Sequence, residues 1–177
     1  MSKKEAFFGS FNEAATVIRR YAEKGEAIYI VTHSDADGIA AGGAIGRAVQ
    51  RLGASFKISC EKRIDEKMIE SIASESPSLV VFTDMGSGYL DMIAGHLSET
   101  DTVVLDHHLP VEVESQRLTH VNPITYGLDG SREISGAGLA YLLARTLDRE
   151  NLDLSLLGIV GALADQQDKG EKKTFLG

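Results

Sequence analysis

The sequence predicts an α/β fold, an open, mainly parallel sheet flanked by helices. Three observations point there. Short apolar runs, as at 27–32 and 79–83, are bounded by turn residues, the pattern of strands buried on both faces. Segments with apolar groups at helical spacing separate these runs, so strand and helix alternate. Three of the runs end in Asp or His, and the carboxyl ends of strands are where open α/β sheets place their ligands. The 177 residues, 43% of them hydrophobic, suffice for one such domain with its own core and are too few for two large ones.

The elements follow in order. Residues 5–24 place Phe7, Phe8, Phe11, Ala14, Ala15, Ile18 and Tyr21 close to helical spacing. This predicts an amphipathic helix on the sheet, ended by Gly25, with the phenylalanines used for packing. Residues 27–32 form the first strand. A helix over 36–52 carries Ala40, Ala41, Gly42, Gly43, Ala44 and Gly46. Glycine costs a helix about 1 kcal/mol relative to alanine, so this density implies close approach to the sheet or to a ligand. A strand at 55–60, a short helix at 68–73 and a loop at 74–78 lead to 79–83, the strongest buried-strand signal in the chain. A helix at 90–97 and strands at 102–105 and 118–121 come next. The polar stretch 127–133 reads as a mobile loop. Ser135 caps a helix running to about residue 149, and a last helix, 152–164, is apolar on most faces and is expected to be buried.

Composition narrows the function. A net charge of −8 argues against a broad basic surface that holds nucleic acid by its phosphates. It leaves nucleotide substrates open, because bound metal ions invert the local charge of an acidic pocket. The single Cys60 excludes an internal disulfide and reads as a small core residue. No signal peptide or membrane-length apolar run is visible, so a soluble cytoplasmic protein without a membrane partner is expected.

The chemistry concentrates at strand ends. Val31-Thr32-His33-Ser34-Asp35-Ala36-Asp37-Gly38 joins an apolar run to an imidazole, two carboxylates and the start of a helix. One Asp is accounted for as a helix cap; the other two groups fit capping less well. The next buried strand ends in Asp84, which alone reads as a turn residue. The one after it ends in Asp106-His107-His108, and imidazole is both a common metal ligand and a proton-handling group. Asp165, after the last helix, is an acid that needs a partner if it points inward, whereas Asp168 is expected to face solvent. His120 reads as structural. Asn122 and Ser135 are candidates for substrate contact, with turn and cap roles an equal account.

Together, His33-Ser34-Asp35-Ala36-Asp37-Gly38, Asp84, Asp106-His107-His108 and Asp165 resemble the four ordered motifs of the DHH phosphoesterase superfamily. That group includes RecJ-type exonucleases, oligonucleotide phosphodiesterases and family II pyrophosphatases. The resemblance covers about residues 27–168, and the spacing of His33 is similar to the RecJ-like members. It implies two divalent metal ions, manganese foremost and magnesium next, with carboxylate and imidazole ligands and no thiolate. His33 and Asp35 would bind one ion, Asp37, His107 and Asp165 the other, and Asp84 both. His108 would contact the scissile phosphate, with Asp106 orienting an imidazole. Water is then the nucleophile.

The resemblance also implies partners: single-stranded DNA or RNA, or oligonucleotides, together with replication or repair proteins. Two other functions stay open. One is a Cdc45-like replication scaffold. The other is a small-molecule phosphohydrolase for a cyclic dinucleotide, phosphoadenosine phosphate or pyrophosphate. Family members normally continue into a second domain, DHHA1, with a glycine- and histidine-rich motif, and nothing like it occurs here. Residues 1–177 are therefore expected to be a single catalytic domain, the N-terminal part of a longer protein, and the ending Lys172-Lys173-Thr174-Phe175-Leu176-Gly177 shows no structural stop.

Overall fold

A computed structural model describes residues 2–169; the charged segment from Glu171 onward lies outside the described residues. In chain order the elements are α1 (Lys3–Glu23), β1 (Ile28–His33), α2 (Ala36–Arg51), β2 (Phe56–Glu61), α3 (Glu66–Ser74), β3 (Leu79–Thr83), α4 (Leu90–His96), β4 (Asp101–Leu105), β5 (Leu118–Val121), α5 (Gly136–Leu147) and α6 (Ser155–Ala164). The five strands form one sheet in the order β2-β1-β3-β4-β5, every neighbouring pair parallel. From β1 the chain passes through α2 to β2 on one side, then through α3 to β3 on the other. The direction of winding reverses between β1 and β3, and such a switch point opens a crevice at the carboxyl ends of the two strands.

Alternation along the strands divides the core. Ile28, Ile30, Leu79, Val81, Val103 and Leu105 face α1, α2 and α5, where Phe7, Phe11, Ile18, Ile45, Leu139 and Leu143 meet them. Tyr29, Val31, Val80, Phe82 and Val104 face α3 and α4, against Ile69, Ile72, Leu90 and Ile93. Local signals set the helix boundaries. Ser2 and Glu5 form a reciprocal capping box on α1, and Asp35, Asp65 and Ser135 cap α2, α3 and α5. The small residues of α2 do bring it close to the sheet: a Cβ on Gly42 would lie 2.8 Å from Thr32, and one on Gly38 2.3 Å from the His33 carbonyl oxygen.

Three expectations are corrected. The last helix starts at Ser155 rather than 152, after a 3-10 segment over Arg149–Leu154, and it is not buried. Its small residues Gly158, Gly161 and Ala162 face inward, while Leu156, Ile159, Val160 and Leu163 are 45–69% exposed. Uniform apolarity concealed which face packs, and here the face with least bulk wins because α2 and α5 approach it closely. Cys60 is exposed, because β2 is a sheet edge and α2 covers it only with small residues. Finally, the 127–133 segment is anchored: Gly130 is buried and its carbonyl accepts from His107 Nδ1 (2.8 Å) and Gln167 Nε2 (3.3 Å). Among the described residues no helix is long and apolar enough to cross a membrane.

Candidate metal centre

The crevice between β1 and β3 gathers acids and imidazoles from four segments. His33 closes β1, and Asp35, the N-cap of α2, accepts from the Gly38 N–H (2.8 Å). Asp37 sits in the first turn of α2 and is fully buried, its Oδ2 accepting from the Gly136 N–H (2.7 Å) and its Oδ1 from the Ala137 N–H (2.9 Å). Those donors are free because they belong to the first turn of α5, whose dipole favours an anion there. Asp84 follows β3 in the left-handed conformation, φ +59°, tied by its N–H to the Leu105 carbonyl (2.9 Å). Asp tolerates that region better than most residues, and strain of this kind concentrates at functional sites. Asp165 ends α6 and is part-exposed, while Asp168 faces solvent.

These side chains fall into two groups, linked where Asp84 of the first meets His107 of the second; Asp84 and His107 also gather with Asp106 and His108. In one, His33 Nδ1 lies 2.8 Å from Asp35 Oδ2 and 3.6 Å from Asp84 Oδ2. In the other, His107 Nε2 lies 3.8 Å from Asp37 Oδ2 and 3.4 Å from Asp165 Oδ2. The two are joined by the 3.1 Å separation of His107 Nε2 from Asp84 Oδ1. His33 Nδ1 and Asp84 Oδ1 are buried without an aligned hydrogen bond, although buried polar atoms are almost always paired. Two orphaned atoms aimed into a nest of oxygen and nitrogen donors fit hard divalent cations.

The charges show the same strain. Burial, with Asp37 and Asp35 adding like-charge repulsion, pushes the Asp84 carboxyl up to about 7. Burial pulls the His107 imidazole down, but its contact with Asp84 and the Gly130 carbonyl outweigh this and raise it to about 10. Without a metal, a His107 imidazolium is the internal counter-ion of this acidic nest. Burial and the nearby Asp37 also raise Asp165.

Beside the nest stands His108, whose Nδ1–H donates to Asp106 Oδ1 (2.7 Å) and whose side chain is 60% exposed. Asp106 is itself buried and accepts from the Ser87 N–H (2.8 Å) and the His107 N–H (2.8 Å). Burial opposes its charge, but these donors and His108 hold its carboxyl at about 2. Of the other two candidates, only Asn122 stands behind this pair. Asn122 is fully buried and its Nδ2 donates to Ser87 Oγ (2.8 Å) and to the His108 carbonyl (2.8 Å). Ser135 is buried as the cap of α5. His120 Nε2 lies 2.9 Å from Ser87 Oγ, a structural contact. Sequence reasoning missed Gly130, Gly136 and Ala137, which act through backbone groups and carry no side-chain signal, and Ser87, whose N–H holds Asp106 while its Oγ meets Asn122 and His120.

Several known proteins are similar to this chain. The model of the DHH family, N-terminal domain, matches residues 27–159. An uncharacterised Methanocaldococcus jannaschii protein, MJ0831, is 36% identical over 146 residues, 79% of this chain and 33% of its own length. The chain thus spans about a third of the curated relative it matches. Among solved structures, RecJ from Thermus thermophilus in complex with Mn2+ aligns over 88% of this chain and 24% of its own, with TM-score 0.74 and 24% identity. The DHH domain of a member of the s1p family of ribosomal proteins aligns over 97% of this chain and 46% of its own, with TM-score 0.75 and 24% identity. These two likenesses establish a shared fold, and the family match over residues 27–159 establishes more: the chain belongs to the DHH family.

Proposed function

We propose that this chain hydrolyses phosphodiester bonds with two divalent ions, manganese or magnesium, as a RecJ-like exonuclease or phosphodiesterase on single-stranded nucleic acid or short oligonucleotides. The observation that carries this reading is the meeting of two acid–imidazole groups at Asp84, with His108 beside them on Asp106. His33, Asp35 and Asp84 would hold one ion; Asp84, Asp37, His107 and Asp165 would hold the other. When bound, such ions supply an activated water and spread the charge that builds on the phosphoryl oxygens. The manganese of the similar RecJ structure supports the choice of ion.

The chain's own residues do the rest. The Gly130 carbonyl accepts a hydrogen bond from His107 Nδ1–H, which leaves Nε2 facing the acids, free to ligate once it has lost its proton. Asp106 likewise accepts from His108 Nδ1–H and raises its pKa, which favours the imidazolium, whose Nε2–H can donate to a phosphate. Asp106→Asn is expected to lower kcat about 100-fold, in the range of a positioned proton donor. It also moves the alkaline limb of the pH–rate profile to lower pH, because His108 loses the partner that holds its proton. An unchanged profile contradicts this role.

Ion binding must displace protons. With Asp84 at about 7 and His107 at about 10, both are protonated at low pH and both must be bare to ligate. Affinity for Mn2+ is therefore expected to rise with pH, up to about 100-fold per unit below 7 and about tenfold per unit from there to 10. Calorimetry in buffers of differing ionisation heat measures the released protons; a pH-independent affinity contradicts this ligand set.

The function is tested with labelled single strands and dinucleotides in Mn2+. Cleavage of dinucleotides, with longer strands cut more slowly by so acidic a chain, is expected. A metal-loaded chain that cuts neither is a scaffold or acts on another phosphoester.

A further inference from the structure

Beyond the acids, the crevice opens into a cleft of about 300 Å³, at the small end of the range for ligand sites. His33, Asp84 and His108 border it on the metal side, and Lys62 and Arg63 contribute positive charge. Asp106 also lines it, behind His108, and its remaining wall is apolar. Tyr89 is 42% exposed and Leu109 79% exposed, and neither belongs to the two cores that pack the sheet.

The backbone brings these two side chains to one rim. Gly86, at φ +123° where a Cβ would strike Val104, sends the chain into a 3-10 turn over Ser87–Tyr89. The Tyr89 N–H donates to the Gly86 carbonyl (2.9 Å), and the Val111 N–H donates to the Ser87 carbonyl (2.8 Å). That last bond stitches the segment after Asp84 to the segment after His108. A flat aromatic face and an aliphatic neighbour are thereby presented to solvent at the edge of a phosphate-directed site. A nucleobase has a π-face for such a surface; inorganic pyrophosphate or polyphosphate has nothing to place on it.

We propose that Tyr89, flanked by Leu109, is the platform on which the nucleobase next to the scissile phosphate stacks. This rests on the phosphodiesterase reading above and narrows its substrates to nucleotides, with pyrophosphate excluded. Recognition by stacking tolerates any base, so little sequence preference follows.

The chain has no tryptophan, so Tyr89→Trp places its one indole at the platform, excitable apart from the remaining tyrosines. Titration of this variant in Mg2+ with 5′-AMP is expected to quench its emission, and inorganic pyrophosphate is expected to leave it unchanged. In steady-state hydrolysis of a dinucleotide, Tyr89→Ala is expected to raise KM about tenfold with kcat little changed, and Tyr89→Trp to restore KM. Emission that ignores saturating 5′-AMP while the same variant still hydrolyses dinucleotides overturns the platform and leaves the phosphodiesterase reading standing. A wild-type chain that hydrolyses pyrophosphate and no dinucleotide overturns both.

Discussion

Asp84→Asn is expected to lower metal-dependent hydrolysis about 1000-fold, the loss of several kcal/mol of transition-state stabilisation, while the chain stays folded. Asp84 belongs to the group of His33 and Asp35 and reaches the group of Asp37, His107 and Asp165 through His107, lying 3.6 Å from His33 Nδ1 and 3.1 Å from His107 Nε2, so its loss is expected to impair both ion sites at once. Asparagine is the informative replacement. It keeps the shape, and with Asp it is among the residues that best tolerate the left-handed backbone at φ +59°. The metal-free protein has little to lose. A carboxyl whose folded pKa is lifted to about 7 opposes folding above its unfolded value near 4, and the amide removes that penalty together with the partner of the His107 proton. The metal-free melting temperature should therefore move by only a few degrees. The gain in melting temperature that Mn2+ gives the wild-type chain should vanish. Calorimetry should find close to two ions per chain in the wild type and one or none in the variant. Retained turnover contradicts the assignment of Asp84.

Much of this architecture was legible in the chain because the informative residues are local. Leu79–Thr83 reads as a buried strand and is one, and the acids and imidazoles of the nest follow their strands by a few residues at most. Residue type and position relative to a strand end therefore suffice to nominate His33, Asp35, Asp37 and His107, whereas Asp84 alone reads as a turn residue and is nominated by its place among the ordered motifs. Asp165 is different, since it lies far along the chain after an uncharged helix; its setting marks it only as an acid that needs a partner, and the order of the four motifs supplies the metal role. What stayed hidden is non-local or lacks a side chain. Nothing near Cys60 announces that its strand is the sheet edge. Nothing in 127–133 announces that the Gly130 carbonyl orients His107, and no composition marks the N–H groups of Gly136 and Ala137 as the donors that hold Asp37. The exposed face of α6 escaped for the opposite reason, since hydrophobicity at every position leaves orientation unspecified.

Gly161→Ala tests that orientation, and it is expected to disable the centre from outside its ligand set. The hydrogen-for-methyl change would ordinarily stabilise a helix by about 1 kcal/mol. Here the new Cβ would lie 1.9 Å from Asp37 Oδ1 and 2.4 Å from the Ala137 Cβ. Neither neighbour can yield cheaply, because Ala137 is in the first turn of α5 and Asp37 is held by two backbone donors from that turn. Either α6 moves outward, taking Asp165 away from His107, or Asp37 leaves its donors and remains as a buried carboxylate with fewer hydrogen bonds. Both routes cost overpacking energy of about 1–3 kcal/mol and both degrade the group that joins Asp37, His107 and Asp165. The group of His33, Asp35 and Asp84 does not touch α6 through these atoms. Gly161→Ala should therefore lower the melting temperature and weaken one ion site at least tenfold, as expected for disturbed ligand orientation, with the other site retained. The control is Gly43→Ala, where the new Cβ meets only Leu157 at 3.8 Å and the helix gain should prevail. Equal effects from the two substitutions would mean that α6 does not set the position of Asp37.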